Sequence, residues 1–145
     1  MQLPWYLYAL GAAVVWGIHY PLVDYALKRF SLVTVLFLTA LPILLLTPLL
    51  AGRLAADLAN MRAMSLRELA PVLALCITTV LGSALLFVSI AGKNATLASL
   101  IEITYPAFVA LFAWLLFRDV QLTPTVAAGG LLILAGVSLI IWHNP

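Results

Sequence analysis

Apolar and polar positions alternate along this chain on a coarse scale. Five long apolar segments, over roughly 4–27, 31–51, 66–91, 95–117 and 124–142, are separated by short polar punctuation. Each segment is long enough to cross a bilayer, with tilt where it exceeds the hydrocarbon thickness. Inside hydrocarbon the backbone must satisfy its own hydrogen bonds, which makes all five helices. A membrane barrel would need alternating segments of about ten residues, and the chain has none. The pattern therefore predicts an all-α fold, an integral membrane bundle of five transmembrane helices forming one domain over 1–145.

The boundaries carry local signals. Pro4 suits a first helical turn, and Lys28-Arg29 closes the first segment. Ser65-Leu66-Arg67-Glu68 reads as a capping box opening the third. Gly92-Lys93-Asn94 ends that segment, and Asn94 can cap the fourth. Thr123-Pro124 is a cap and first-turn pair for the fifth. Trp5, Tyr6 and Tyr8 at one end and Trp142 at the other fit interfacial belts. The stretch from Gly52 to Ser65 carries Leu54, Leu58 and Met61 at helical spacing, with Arg53 and Asp57 four apart on another face. It reads as a short surface helix or as an ordinary polar loop.

Composition agrees with the pattern. Of the 145 residues 66% are hydrophobic and 8% charged, and the mean hydropathy is +1.19. A soluble domain carries about 25% charged residues. The net charge of +2 is small and confined to the polar connections, which argues against nucleic acid as a partner. Cys76 is the single cysteine and lies mid-span, so neither a disulfide framework nor a Cys-rich metal site is expected. No metal or cofactor site is predicted. The first segment has no basic region before it and reads as a helix rather than a signal peptide.

The basic residues divide almost evenly. Five crossings put Arg53, Arg62, Arg67 and Arg118 on the N-terminal side, and Lys28, Arg29 and Lys93 on the other. Positive charge favours the cytoplasm. Four against three biases the chain only weakly toward N-in. Two readings stay open: single insertion steered by the arginines around the long connection, or insertion both ways with antiparallel pairing. Small residues recur at four-residue spacing in Ala9, Ala13 and Gly17, and in Ala74, Thr78 and Gly82; Gly129 and Gly136 are seven apart. Such stripes let helix backbones approach closely, and they are read here as packing surfaces. Thr79 and Ser83 lie one turn apart, with hydroxyls that face a cavity or bond back to their own helix.

Glu102 stands inside the fourth apolar segment, in a chain with only five acidic residues. A carboxylate at that depth costs roughly 2.5–3.5 kcal/mol on insertion scales, so it is kept for a ligand, a proton or a fixed partner. Pro106 follows it by four residues and leaves the carbonyl of Glu102 unbonded; Pro21 does the same for Gly17, next to His19. Interrupted helices of this kind point to transporter binding sites, whereas a simple kink is the packing alternative. His19 lies nine residues before Lys28, about 13 Å at the helical rise, and Glu102 eight residues after Asn94, about 12 Å from the same side. The two can meet at one depth, as a proton-coupling pair or as a static link between helices. Trp16 and Tyr105 flank them and could line a cavity for an organic or cationic solute, or face lipid. The candidate substrate- or proton-binding residues are therefore Glu102, His19, Trp16 and Tyr105, with Pro21 and Pro106 as the helix-interrupting positions. Asp24 is expected to pair with Lys28 or Lys93.

Several stretches together resemble one family. Trp16-Gly17, the run Asn94-Ala-Thr-Leu-Ala-Ser-Leu-Ile-Glu102 leading into Tyr105-Pro106, then Ala110–Phe117, Leu122-Thr123, Gly129-Gly130 and Leu131–Val137 resemble an EamA-type unit of the drug/metabolite transporter superfamily. The resemblance covers nearly the whole chain. It implies a secondary transporter of a small organic metabolite in the cell inner membrane, often an exporter. Members of that kind usually carry two inverted five-helix units around a cavity. The single unit here implies a half-size protein that works as a homodimer, antiparallel by analogy. Asp119, after Arg118, stands where a Glu is usual in the family. Glu102 and His19 are not carried over from it and rest on physical grounds.

A flippase or small-cation exporter of related architecture and a non-transporting assembly subunit are the competing readings. No Ser/His or paired-Asp arrangement at helical spacing suggests an enzyme. The near-even charge split yields a prediction. Removing Arg29 and Lys93 by alanine substitution should shift the orientation reported by a C-terminal topology fusion toward N-in. If the wild type is already uniformly N-in and the double variant reads the same, dual insertion is ruled out.

Overall fold

A computed structural model describes residues 4–120 and 122–144. The described residues are helical with no strand. Helix α1 spans Trp5–Leu27, α2 Leu32–Leu46, α3 Ala51–Ala63, α4 Leu66–Gly92, α5 Ala95–Glu102, α6 Tyr105–Phe117 and α7 Pro124–His143. A 3-10 turn, Thr47–Leu50, links α2 to α3. Five helical stretches are long and apolar enough to cross a membrane: Trp5–Leu27, Leu32–Ala63, Leu66–Gly92, Ala95–Phe117 and Pro124–His143. Four of these follow the apolar segments closely. The second runs on to Ala63 because the stretch after Gly52 is helical, the amphipathic alternative of the two readings.

The ends of the helices are fixed by side chains at the positions their residue types suggest. Ser65 and Glu68 form the reciprocal pair of a capping box: the Ser65 amide donates to Glu68 Oε2 at 2.9 Å and the Glu68 amide to Ser65 Oγ at 3.4 Å. Asn94 Oδ1 accepts from the Leu97 amide at 2.8 Å and starts α5. Thr123 caps α7 through the Val126 amide, and Ser31 caps α2 through that of Thr34. Helix α6 stops at Arg118, whose φ of 58° is left-handed. The Arg118 amide donates to Trp114 O, the 5→1 bond of an αL ending, and the Asp119 amide reaches Ala113 O. A left-handed non-glycine residue is uncommon. Here its guanidinium lies over the Trp114 ring, 5.4 Å from the centroid.

The prolines do not act alike. Helix α1 continues without a break through Pro21, so the interruption expected there is not present; one missing amide removes one bond from the ladder, and the turns on either side hold. Helices α2 and α4 likewise contain Pro42 and Pro71. Around Pro106 the fourth segment does break, into α5 and α6, with Ile103 and Thr104 between them. The Thr104 amide and hydroxyl both turn back to the Ile101 carbonyl, at 3.2 and 2.9 Å, and so end α5. Pro106 then falls in the first turn of α6, where no amide is needed.

By contacts the chain forms two compact units, Met1–Pro21 with Gly92–Pro145, and Leu22–Ala91. In the first, α5 lies against α7, and Ala95, Ala98 and Val137 are its buried residues. In the second, the buried residues are Val23, Val35, Phe87 and Ile90. Trp5, Tyr8 and Trp142, the aromatic residues near the ends of their helices, are exposed. Since α5 carries the candidate carboxylate, its cap bears on the site. Asn94→Ala should lower stability by about 1 kcal/mol, read as an earlier midpoint in denaturant unfolding in micelles; an unchanged midpoint would show that the cap contributes nothing.

Candidate functional site

The site is built on the first unit alone, from the middle of α1 and the short helix α5. Glu102 is the last residue of α5 and is half-buried. Its partner is Tyr20, whose hydroxyl donates to Glu102 Oε2 at 2.7 Å across 82 positions of sequence. Leaving aside Lys93 and Asp119, the other side-chain hydrogen bonds among the described residues link groups no more than four positions apart. The bond from Tyr20 therefore ties one helix to another where the rest tie a helix to itself. Glu102 Oε1 has no partner among the described residues.

His19 lies beside this pair rather than in it. Its ring meets Trp16 edge-on at 5.0 Å between centroids and Tyr20 at 6.1 Å, and Trp16 lies 5.6 Å from Tyr20. Trp16, His19 and Tyr20 thus form an aromatic cluster on α1, with Tyr20 as the member that reaches Glu102. Tyr105 opens α6 and is largely exposed, and no ring contact joins it to the cluster. The Tyr20–Glu102 bond brings this turn of α1 to the end of α5. By depth the partner of the carboxylate would be His19; in the structure it is Tyr20. Tyr20 stands next to Pro21 in the sequence and is an ordinary aromatic residue in an apolar helix, so the sequence alone carries no signal for it.

A half-open cleft of about 160 Å³ lies between the two helices. Gly17, Tyr20 and Pro21 of α1 face Thr96, Ser99 and Leu100 of α5 across it. The hydroxyl-bearing residues along it are Tyr20, Thr96 and Ser99. Ser99 Oγ donates to the Thr96 carbonyl at 3.0 Å. Among the described residues no His, Cys, Asp or Glu group of three or more could hold a metal ion.

Other polar positions prove local. Asp24 pairs with Lys28 at 2.9 Å, as expected, and Arg29 lies over the Tyr25 ring, 3.6 Å from its centroid. The Thr79 hydroxyl bonds back to the Leu75 carbonyl at 2.8 Å, the second of its two readings. The glycines of the small-residue stripes have open space beside them in their own chain. A Cβ added at Gly17, Gly82, Gly129 or Gly136 would have no neighbour within 4 Å. If these stripes are packing surfaces, what they pack against lies outside this chain's own contacts.

The bond between Tyr20 and Glu102 can be measured. Interhelical hydrogen bonds in membranes contribute about 0.6–2 kcal/mol. A double-mutant cycle of Tyr20→Phe and Glu102→Gln, followed by denaturant unfolding in micelles, should give a coupling energy in that range. Additive single effects would show that the two groups do not interact.

The EamA-like transporter family model matches residues 3–142 of the 145-residue chain. No curated protein and no solved structure shows a significant match. The family match covers both halves of the site, α1 and α5, as well as every apolar segment. The chain belongs to the EamA-like transporter family, a multi-pass membrane protein of the drug/metabolite transporter superfamily rather than an enzyme.

Proposed function

We propose that the protein exports a small organic metabolite across the cell inner membrane, with Glu102 as the group that alternately holds solute and proton. The observation that carries this reading is the Tyr20–Glu102 bond. An acidic side chain within an apolar segment is bonded on one oxygen by a neutral phenol and open on the other. No Lys or Arg occurs in α1, α5, α6 or α7. A carboxylate without a cationic partner at membrane depth is stable when it carries a proton or binds a ligand. Alternation between those two states is what coupled transport requires. His19, Trp16 and Tyr20 form one wall of the site, and Tyr105 stands at the start of the next helix.

The working unit in this proposal is a homodimer, with the second copy inserted the opposite way. Supporting it is the four-to-three division of basic residues, which leaves orientation weakly fixed. Cross-links between single cysteines placed in a Cys76-free background would separate the arrangements. Pairs formed only between equal-depth positions on the same side would indicate a parallel dimer.

The test of mechanism is Glu102→Gln, which keeps the shape and removes the charge. Proteoliposomes loaded with a mixture of metabolites should release one or more of them when a proton gradient is imposed. The variant should lose that release, or its dependence on pH, while its yield and dimerisation stay near wild type. His19→Ala should shift the pH optimum without unfolding. Wild-type release and an unchanged pH profile in Glu102→Gln would assign the carboxylate a structural role.

A further inference from the structure

We propose that the cleft between α1 and α5 selects a small organic ammonium ion, which it binds through oxygen lone pairs backed by the charge of Glu102. The proposal rests on the transport reading above and names its substrate class. It begins with where the hydroxyl protons go. Tyr20 donates to Glu102 Oε2, and a carboxylate oxygen in that bond can only accept. Ser99 donates to the Thr96 carbonyl, which also can only accept. Each hydroxyl has a single proton, so neither has one left for the cleft. What Tyr20 and Ser99 present to it are lone pairs. Thr96 is exposed and lines the same wall, and its hydroxyl can turn lone pairs inward.

A ligand that fits such a wall brings donors. A carboxylate or phosphate would face acceptors with no basic side chain to offset it, since the cleft is lined by none. Charge points the same way. Glu102 does not line the cleft, but it is one hydrogen bond from Tyr20, which does. A phenol that donates to a carboxylate becomes a stronger acceptor, because successive hydrogen bonds polarise one another. An ammonium N–H on Tyr20 Oη would complete a chain running from cation to phenol to carboxylate. The neighbouring Trp16 ring, 5.6 Å from that of Tyr20, adds a π face of the kind that attracts cations.

The cleft, about 160 Å³ and half-open, has room for a primary ammonium with four or five heavy atoms. The position of Tyr20 makes it the specificity-determining residue, because it alone both lines the cleft and touches the charge.

The probe is butylammonium chloride, with butanol as the neutral and sodium butyrate as the anionic counterpart of similar size. Binding to the purified wild-type protein in micelles is followed by tryptophan fluorescence, with Trp16→Phe identifying the responding ring, and by thermal shift. Butylammonium should give a saturable response and the other two should not. Tyr20→Phe and Glu102→Gln should each weaken binding at least tenfold, and Ser99→Ala a few-fold. An equal response to butyrate or butanol overturns the proposal, as does full butylammonium affinity in Tyr20→Phe. Tyr20→Phe removes one oxygen and keeps the ring, so the test stands even if Glu102→Gln lowers the yield of folded protein. Binding needs no gradient, which separates the two readings. Butylammonium binding without release of any metabolite would sink the transport reading alone. Glu102-dependent release of metabolites without butylammonium binding would sink this one alone.

Discussion

Hydrocarbon offers no hydrogen-bond partners, and most of this structure follows from that. Each polar group placed within an apolar span must find its partner nearby, and the nearest partner is usually the backbone of its own helix. Thr39, Thr47, Thr78, Thr79, Ser99 and Ser138 all bond to carbonyls three or four residues back. At the helix ends Ser31, Ser65, Asn94 and Thr123 take the amides that the first turn leaves open. Glu102 has no proton of its own to give while ionised and cannot bond to a carbonyl of its own helix. It has to be satisfied by a donor from elsewhere, and the donor is Tyr20. The same rule that keeps the other side chains local makes this one reach across.

Elements governed by local chemistry are legible in the sequence. The five apolar segments, the capping box at Ser65, the cap at Asn94 and the pairing of Asp24 with Lys28 each depend on residues close together along the chain. The partner of Glu102 depends on something else. Counting rises from a membrane edge fixes depth to within about one residue, since each step along a helix is about 1.5 Å. It does not fix rotation, and adjacent residues point about 100° apart around the axis. His19 and Tyr20 are therefore nearly equal in depth and face different neighbours. A count along the helix picks a turn of α1, and rotation about its axis decides that Tyr20 makes the contact.

The prolines carry a similar lesson. Pro21 and Pro106 read alike in sequence, each four residues after a carbonyl left without its amide. Only the second coincides with a break. At Pro106 a threonine two residues earlier supplies an alternative ending, its amide and hydroxyl both returning to Ile101. The residue two before Pro21 is His19, whose side chain is engaged with aromatic rings instead. A proline weakens a helix, and the break comes where a neighbour can cap the exposed end.

The 82 positions between Tyr20 and Glu102 also set an order of events in biogenesis. Chains are synthesised at about 5–20 residues per second, so roughly 4–16 s separate the appearance of the two groups. During that interval α1 enters the membrane with its phenol unmatched, while α2, α3 and α4 are made and inserted. The compact unit that holds the site is discontinuous in sequence, Met1–Pro21 joined to Gly92–Pro145. It cannot close until α5 arrives. The stretch of α1 up to Pro21 thus waits for α5, and the arrival of Glu102 completes its unit.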